Sequence, residues 1–307
     1  MPSFLILDWA LFVDLIANGL VIGVSYVLMA MGVSLIFGIF KIVNFAHGEF
    51  YMAGTYVYTY LAVSMGIPLW MALGGAIVTG GVIGWFVERL LMRPLYLDYA
   101  SWGGMNARHE YGVVVTFGLS LLLVNAADKM FGPFSFFGPE LVSVKRVFIG
   151  PVVLSGHRIV ACVLGIIVIL GMVIFLRHTY WGKQVQAVSQ NRLGAALGGA
   201  DPIWVSKIVF VAAGSLAALA GALLSPIVLA DPLVGLFPAI KSLVVVVLGG
   251  MGSMLGAIVG GLLVGVAEMF AAVYLSNDYR DVFGLVILVV VLLVRPHGLF
   301  GEKARDV

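Results

Sequence analysis

The sequence predicts an all-α polytopic membrane protein of about eight to nine transmembrane helices, with an interrupted segment near 225–248 and a short cytoplasmic helix between two spans. Three observations predict it. Hydrophobic residues make up 62% of the 307 and charged residues only 10%, and the mean hydropathy is +1.12, where soluble proteins carry roughly a quarter charged residues. Apolar runs close to the ~20 residues needed to cross ~30 Å of hydrocarbon recur almost end to end. Between two of them, Arg177 to Lys207 is long enough for a helix and too polar to cross. The chain 1–307 therefore reads as one transmembrane domain. A net charge of +2 gives no basis for nucleic-acid binding, and the single Cys162 inside an apolar run supports neither a disulfide framework nor a cysteine metal site.

The first span runs from about Leu15 to Phe40, longer than a bilayer needs, so it tilts or breaks near its glycines. No basic region precedes it and no small-residue cleavage site follows a short apolar core, so it is expected to stay in the mature protein. Gly19 and Gly23 make a small-xxx-small face that favours close helix approach. Val43 to Phe50 then opens a second span that reaches Val63 and carries Asn44, His47 and Glu49. Asn44 is placed to cap that helix through its side-chain oxygen. A third span, Leu69 to Val87, holds Gly80 and Gly84 and ends at Glu88, Arg89, Arg93 and Pro94.

Arg89 to Glu110 carries three arginines and is expected in the cytoplasm. The fourth and fifth spans, Tyr111 to Ala127 and Ile159 to Leu176, flank a loop with Pro133, Phe134, Phe136, Phe137, Gly138 and Pro139, read as an external structured loop or short hairpin. In the polar stretch, Gln184 to Leu197 favours helix until Gly198-Gly199, and Asp201-Pro202 supplies an N-cap and a first helical residue for the next span, Ile208 to Leu224. Three prolines and Asp231 interrupt Ser225 to Pro238, which places that backbone in the protein interior. Lys241 to Leu248 is a short apolar stretch.

The next span, from Ser253 to Val273, is flanked and lined by Gly252, Gly256 and Gly260 at every fourth position, with Gly261 and Gly265 beside them. This makes a smooth packing seam inside the subunit or against a partner, and a phosphate loop is excluded because no Gly-Lys-Ser/Thr follows. A last span, Val282 to Val294, ends at Arg295-Pro296 and a basic tail. This arrangement puts eleven of the seventeen Lys and Arg in the cytoplasm. With nine crossings, an external N-terminus and a cytoplasmic C-terminus follow.

Four motifs then occur in order: Asn44-Phe45-Ala46-His47-Gly48-Glu49; the segment from Ala187 to Gly198; the glycine-rich run Leu248 to Gly261 continuing to Gly265 and Glu268; and the tail Arg295-Pro296-His297-Gly298-Leu299-Phe300-Gly301. Together they resemble the LivH-type permeases of branched-chain amino acid ABC importers over nearly the whole chain. The resemblance implies a transmembrane permease subunit of the bacterial or archaeal inner membrane, passing branched-chain or other apolar amino acids. Urea, amides or aromatic acids are the alternative cargoes of that architecture. It implies a second related permease subunit, two cytoplasmic ATPase subunits that bind ATP and Mg, and an external substrate-binding protein. This chain would hold no cofactor and catalyse nothing. Segment 184–198 would couple it to the ATPase through Gln190, Asn191, Arg192, Ala195, Ala196, Leu197 and Gly198, although the family often has an acidic residue where this chain has Leu193-Gly194.

Ionisable side chains among apolar helices usually face an interior, a partner or water. Asn44 and His47, three apart, share a face and are assigned to the translocation route or its gate. Glu49 points elsewhere, toward a charge partner, with Lys41 the nearest in sequence. The simpler reading makes Asn44 a cap and lets His47 satisfy a backbone carbonyl. Two other classes compete. A stand-alone secondary transporter would have to use Glu49 or Glu268 for ion coupling, and an intramembrane hydrolase would need Ser120 activated by His47.

Overall fold

The structure, a computed structural model, describes residues 9–94, 105–132, 136–144, 147–149, 152–276 and 280–301. Among them the chain forms α1 (Trp9–Phe40), α2 (His47–Thr59), α3 (Leu69–Val87), α4 (Met105–Phe131), a hairpin of β1 (Val147–Ile149) and β2 (Val152–Leu154), α5 (Gly156–His178), α6 (Tyr180–Gln190), α7 (Arg192–Leu197), α8 (Pro202–Leu224), α9 (Leu236–Gly249), α10 (Met254–Tyr274) and α11 (Arg280–Val294). Helices α1, α3, α4, α5, α8 and α10 are long and apolar enough to cross a membrane, while α9 and α11 are apolar but shorter. At ~1.5 Å per residue α9 reaches only about 21 Å, less than a hydrocarbon core. Expected residues Pro133 and Phe134 lie outside the described chain, as do 95–104 of the expected cytoplasmic loop.

Helix starts follow local chemistry. The side chains of Ser155, Thr179, Asp201 and Ser253 each accept a backbone N–H in the first turn of α5, α6, α8 and α10, and Pro202 occupies the first turn of α8 as its sequence suggested. Two helices widen at their ends, where Met65 donates its N–H to the Tyr60 carbonyl (3.2 Å) and Arg93 to that of Glu88 (2.7 Å), five residues back in each case.

Helix α1 is the centre of the molecule. Its most apolar window is 83% buried, against 17% for α4 and 22% for α5, and it packs on α5, α8, α9 and α10. Glycines set how closely the backbones approach. A Cβ on Gly19 would lie 2.6 Å from the Cα of Val266, and one on Gly265 would lie 2.6 Å from the carbonyl oxygen of Gly19. On the other side, Gly80 and Gly214 abut each other across α3 and α8, Gly84 meets the carbonyl of Phe210, and Gly54 of α2 meets the backbone of Ala218. Close backbone contact of this kind replaces the hydrophobic driving force that lipid removes.

The glycine rows of α10 divide between two neighbours instead of forming one face. Gly261 and Gly265 meet α1, whereas Gly256 meets the Gly249 backbone and Gly260 faces the Val245 carbonyl of α9, 2.9 Å from where a Cβ would sit. All four contacts lie within this chain. Gly252 stands outside the helix, in a turn with φ 83° that favours glycine, and a Cβ there would find only the Cα of Gly38 at 3.7 Å.

The loop between α4 and α5, expected to be external, contains a hairpin, with Val147 opposite Leu154. Residues 136–139 of that loop lie against the interrupted segment and α2: Ala230 donates to the Phe136 carbonyl (2.9 Å), Gly138 to that of Ser225 (2.9 Å), and the Tyr58 hydroxyl to that of Pro139 (2.9 Å). Asp231 turns the segment by accepting from Leu233 N–H (2.7 Å), and Gly235 then packs back to back with Gly48.

Candidate translocation and coupling sites

Between α1 and α2 the chain leaves helix for six residues. Lys41 closes α1 with φ 55°, its N–H on the Phe37 carbonyl (2.8 Å). Helix α2 does not start at Asn44. Asn44 instead makes a tight turn, its side-chain oxygen accepting from Ala46 N–H (3.0 Å), and α2 begins at His47 with Ala46 as the non-capping residue before it. The Thr116 hydroxyl of α4 accepts the Phe45 N–H at 3.3 Å. Protein groups thus satisfy irregular backbone that lipid could not.

His47 is buried beside α1, its Nε2 3.1 Å from the Met29 carbonyl. A carbonyl only accepts, so Nε2 carries the proton and Nδ1 is left an acceptor, buried and without a hydrogen-bond partner. The Asn44 amide nitrogen and Glu49 Oε2 are in the same condition. His157 shows the contrast: its Nε2 donates to the Leu223 carbonyl (2.8 Å) and its Nδ1 accepts from Leu141 N–H (3.2 Å), which spends both nitrogens on structure. Glu49 faces α4, where Oε1 accepts from the Ser120 hydroxyl at 2.6 Å. Lys41, its expected charge partner, instead holds its ammonium 5.9 Å above the Phe37 ring. With Ser120 on Glu49 and His47 on Met29, the Ser–His pairing that a hydrolase would require is not made.

Gly32 makes room for the His47 ring. A Cβ there would stand 2.8 Å from Cε1 and 3.0 Å from Nε2, with the Ala213 carbonyl oxygen 3.1 Å away on the other side. Gly32→Ala is expected to displace the imidazole and reduce transport by about tenfold or more, an effect of ~1.4 kcal/mol. Adding His47→Ala should restore stability but not transport. Restored transport in the double variant would show that the ring is filler.

Glu268, marked in the sequence as an ionisable group among apolar helices, is the centre of a second polar cluster whose other members the sequence did not join to it. Lys241, in the second turn of α9, places Nζ 2.9 Å from Glu268 Oε2 of α10 and 2.8 Å from the Tyr26 hydroxyl of α1. Tyr26 donates to the same carboxylate oxygen at 2.7 Å, and Arg280 Nε of α11 lies 3.5 Å from it. Glu268 is wholly buried. Four helices are therefore tied by one carboxylate.

Segment 184–198, expected to couple the chain to an ATPase, falls on two helices, not one. Asn191 breaks it, with extended backbone at φ −149° and a side chain that accepts the Gly194 N–H (2.8 Å), so α6 ends at Gln190 and α7 starts at Arg192. Val185 and Val188 are buried and seat α6 on the bundle. Leu193 and Leu197 project outward, 72% and 83% exposed, with Ala196 and Gly198 beside them; Ala195 is half-buried. Arg192 turns the other way, joining Lys207, Arg93 and Arg89 within electrostatic reach of the fully buried Glu88. Leu197→Asp is expected to leave the melting temperature unchanged and to cut ATP-driven transport at least tenfold, since the loss of one apolar anchor costs about 2 kcal/mol or more at an interface. Unchanged transport in the assembled complex would show that α7 touches no partner.

Residues 15–292 match the family described as branched-chain amino acid transport system / permease component. The chain belongs to this permease family. It is 32% identical over 306 residues to the high-affinity branched-chain amino acid transport system permease protein LivH of Escherichia coli strain K12, covering 95% of this chain and 96% of the relative. Identity to the corresponding BraD permease of Pseudomonas aeruginosa is 32% over 301 residues, 94% of this chain and 95% of the relative. A probable LivH permease of Methanocaldococcus jannaschii is 26% identical over 289 residues, 90% of this chain and 88% of the relative. No solved structure matches the chain. As a member of the branched-chain amino acid permease family it is a multi-pass membrane transport component and not an enzyme.

Proposed function

We propose that this chain is a transmembrane subunit of a binding-protein-dependent ABC importer that passes branched-chain or other apolar amino acids through the inner membrane. The observation that carries the reading is the pair α6–α7, seated on the bundle by the buried Val185 and Val188 while Leu193 and Leu197 of α7 are exposed. An element so built transmits motion from a partner. In this reading two ATPase subunits bind ATP and Mg and hydrolyse it, a second related permease completes the pathway, and a soluble protein delivers the amino acid from outside.

In this reading the chain crosses nine times: six crossings are the long apolar helices α1, α3, α4, α5, α8 and α10, and α2, α9 and α11 supply the other three. Helices α2 and α9 complete their crossings with the irregular stretches that precede them. The positive-inside rule puts Lys41, Arg89, Arg93, Arg177, Lys183, Arg192, Lys207 and Arg295 on the cytoplasmic side. Asn44 and His47 lie beside the meeting point of the α2 and α9 starts at Gly48 and Gly235, so they border the route. ATP acts by favouring one of two packings of these helices.

Proteoliposome uptake tests the assignment. Leucine should accumulate only when permeases, ATPase, binding protein and ATP are all present. Uptake by this chain alone would make it a secondary transporter.

A further inference from the structure

A cleft of about 1190 Å³ opens beside the coupling helices. One wall is α6, with Gln186, Ser189 and Gln190; another is the α9–α10 elbow with Ser253; the third is the chain after α11, with His297 and Phe300. Lys41 also lines it, and no carboxylate among the described residues does.

That third wall is a strap fixed to α9. Leu299 and Phe300 donate their N–H groups to the Leu248 and Gly249 carbonyls at 2.9 and 3.0 Å, filling the acceptors that the end of α9 leaves open. Glycines bring the backbones together: a Cβ on Gly298 would lie 2.6 Å from Gly250 N and 2.7 Å from the Val247 oxygen, and one on Gly250 would collide with Gly301. Both Gly250 and Gly298 have positive φ. The strap and α9 therefore move as one body, and the far end of α9 is the Gly235–Gly48 contact beside His47.

Lys41 adds an independent sign. Among the described residues it is the one non-glycine with positive φ, at 55°, a position where glycine would rest without strain. The lysine there, exposed and propped on Phe37, puts a cation into the cleft.

We propose that this cleft is a second docking site for the ATPase subunit, which inserts an acidic side chain toward Lys41 and drives α9 through the strap. The inference rests on the importer reading and names a second contact within it. The mixed lining, with Gln186, Ser189, Gln190 and Ser253 among apolar residues, suits a protein side chain over an acyl chain, and the Lys41 ammonium, with no carboxylate among the described lining residues, sets its sign. Through α6–α7 the partner would grip the bundle from outside, and through the strap it would move the half-helix whose start closes on α2.

Cysteine cross-linking in the complete reconstituted importer tests it. With Cys162 replaced by alanine, Leu197→Cys and Phe300→Cys are each paired with cysteines scanned over the ATPase surface. Both are expected to cross-link, with ATP altering the Phe300→Cys yield. Cross-links from Leu197→Cys alone overturn the second site and leave the importer reading intact. None from either position overturns that reading as well. Lys41→Gly keeps the backbone conformation while removing the ammonium, so it should fold as well as the parent. It should bind the ATPase about tenfold more weakly at low salt and show a smaller salt dependence. Equal affinity would assign Lys41 to capping α1 only.

Discussion

Leucine at position 265 is expected to destabilise the permease by at least about 3 kcal/mol, the upper end of what overpacking costs in cores. The reason is the partner atoms. A Cβ at Gly265 would stand 2.5 Å from the Cα of Gly23 and 2.6 Å from its N, with the Gly19 oxygen at 2.6 Å. These are all backbone atoms of the most buried helix, so no rotamer change makes room and α1 must separate from α10. Gly171→Leu is the control, because a Cβ there meets nothing within 4 Å. Thermal melts of detergent-solubilised protein should show loss of the monodisperse species for Gly265→Leu and a parental curve for Gly171→Leu. A parental curve for both would mean that α1 and α10 are not in backbone contact. Gly256→Leu should act the same way, on the contact with Gly249 inside this chain, and not first on pairing with another subunit.

The contrast between these glycines shows where sequence reading stopped. Spacing of four in Gly19 and Gly23, and in Gly261 and Gly265, gave each row a helix face; it could not say that the two rows meet each other. Nor could it separate Gly256 and Gly260, which meet α9, from Gly261 and Gly265, one residue round the helix. Hydropathy placed the long spans because burial in lipid and burial in protein select the same residues. For that reason it could not see that α1 is enclosed while α4 is peripheral. The Asn191 break was readable in principle, since Asn is a strong N-cap, but a good helix former on either side hid it. Asn44 went the opposite way: the same propensity pointed to a cap, and the chain used it for a turn two residues earlier.

Lys241 and Glu268 were harder still. They stand 27 residues apart, and Tyr26 is 242 residues from Glu268, so no local pattern joins them. In sequence a lone lysine before an apolar run looks like a boundary marker. Its position near the start of α9 is in fact unfavourable for a cation, because the helix dipole is positive there. What compensates is the carboxylate from α10.

That arrangement predicts unequal costs for its two members. Glu268→Ala takes the carboxylate from two cations at once, Lys241 and Arg280, inside apolar helices, and is expected to cost about 3–5 kcal/mol, as breaking a buried pair does. Lys241→Met leaves Glu268 with the Tyr26 hydroxyl at 2.7 Å and Arg280 at 3.5 Å, so its cost should be lower, about 1–3 kcal/mol for a hydrogen bond to a charged group. The double variant Lys241→Met/Glu268→Met should be more stable than Glu268→Ala, because apolar residues of similar volume replace a desolvated pair at little loss. Melting temperatures of the three variants in one detergent decide the matter. If Lys241→Met costs as much as Glu268→Ala, Arg280 does not share the carboxylate; if the double variant shows no recovery, the cluster is needed for more than charge balance. Transport separates that last case further. A double variant that melts like the parent yet fails to import leucine would assign Lys241 and Glu268 to the moving parts of the cycle, at the joint between α9 and α10.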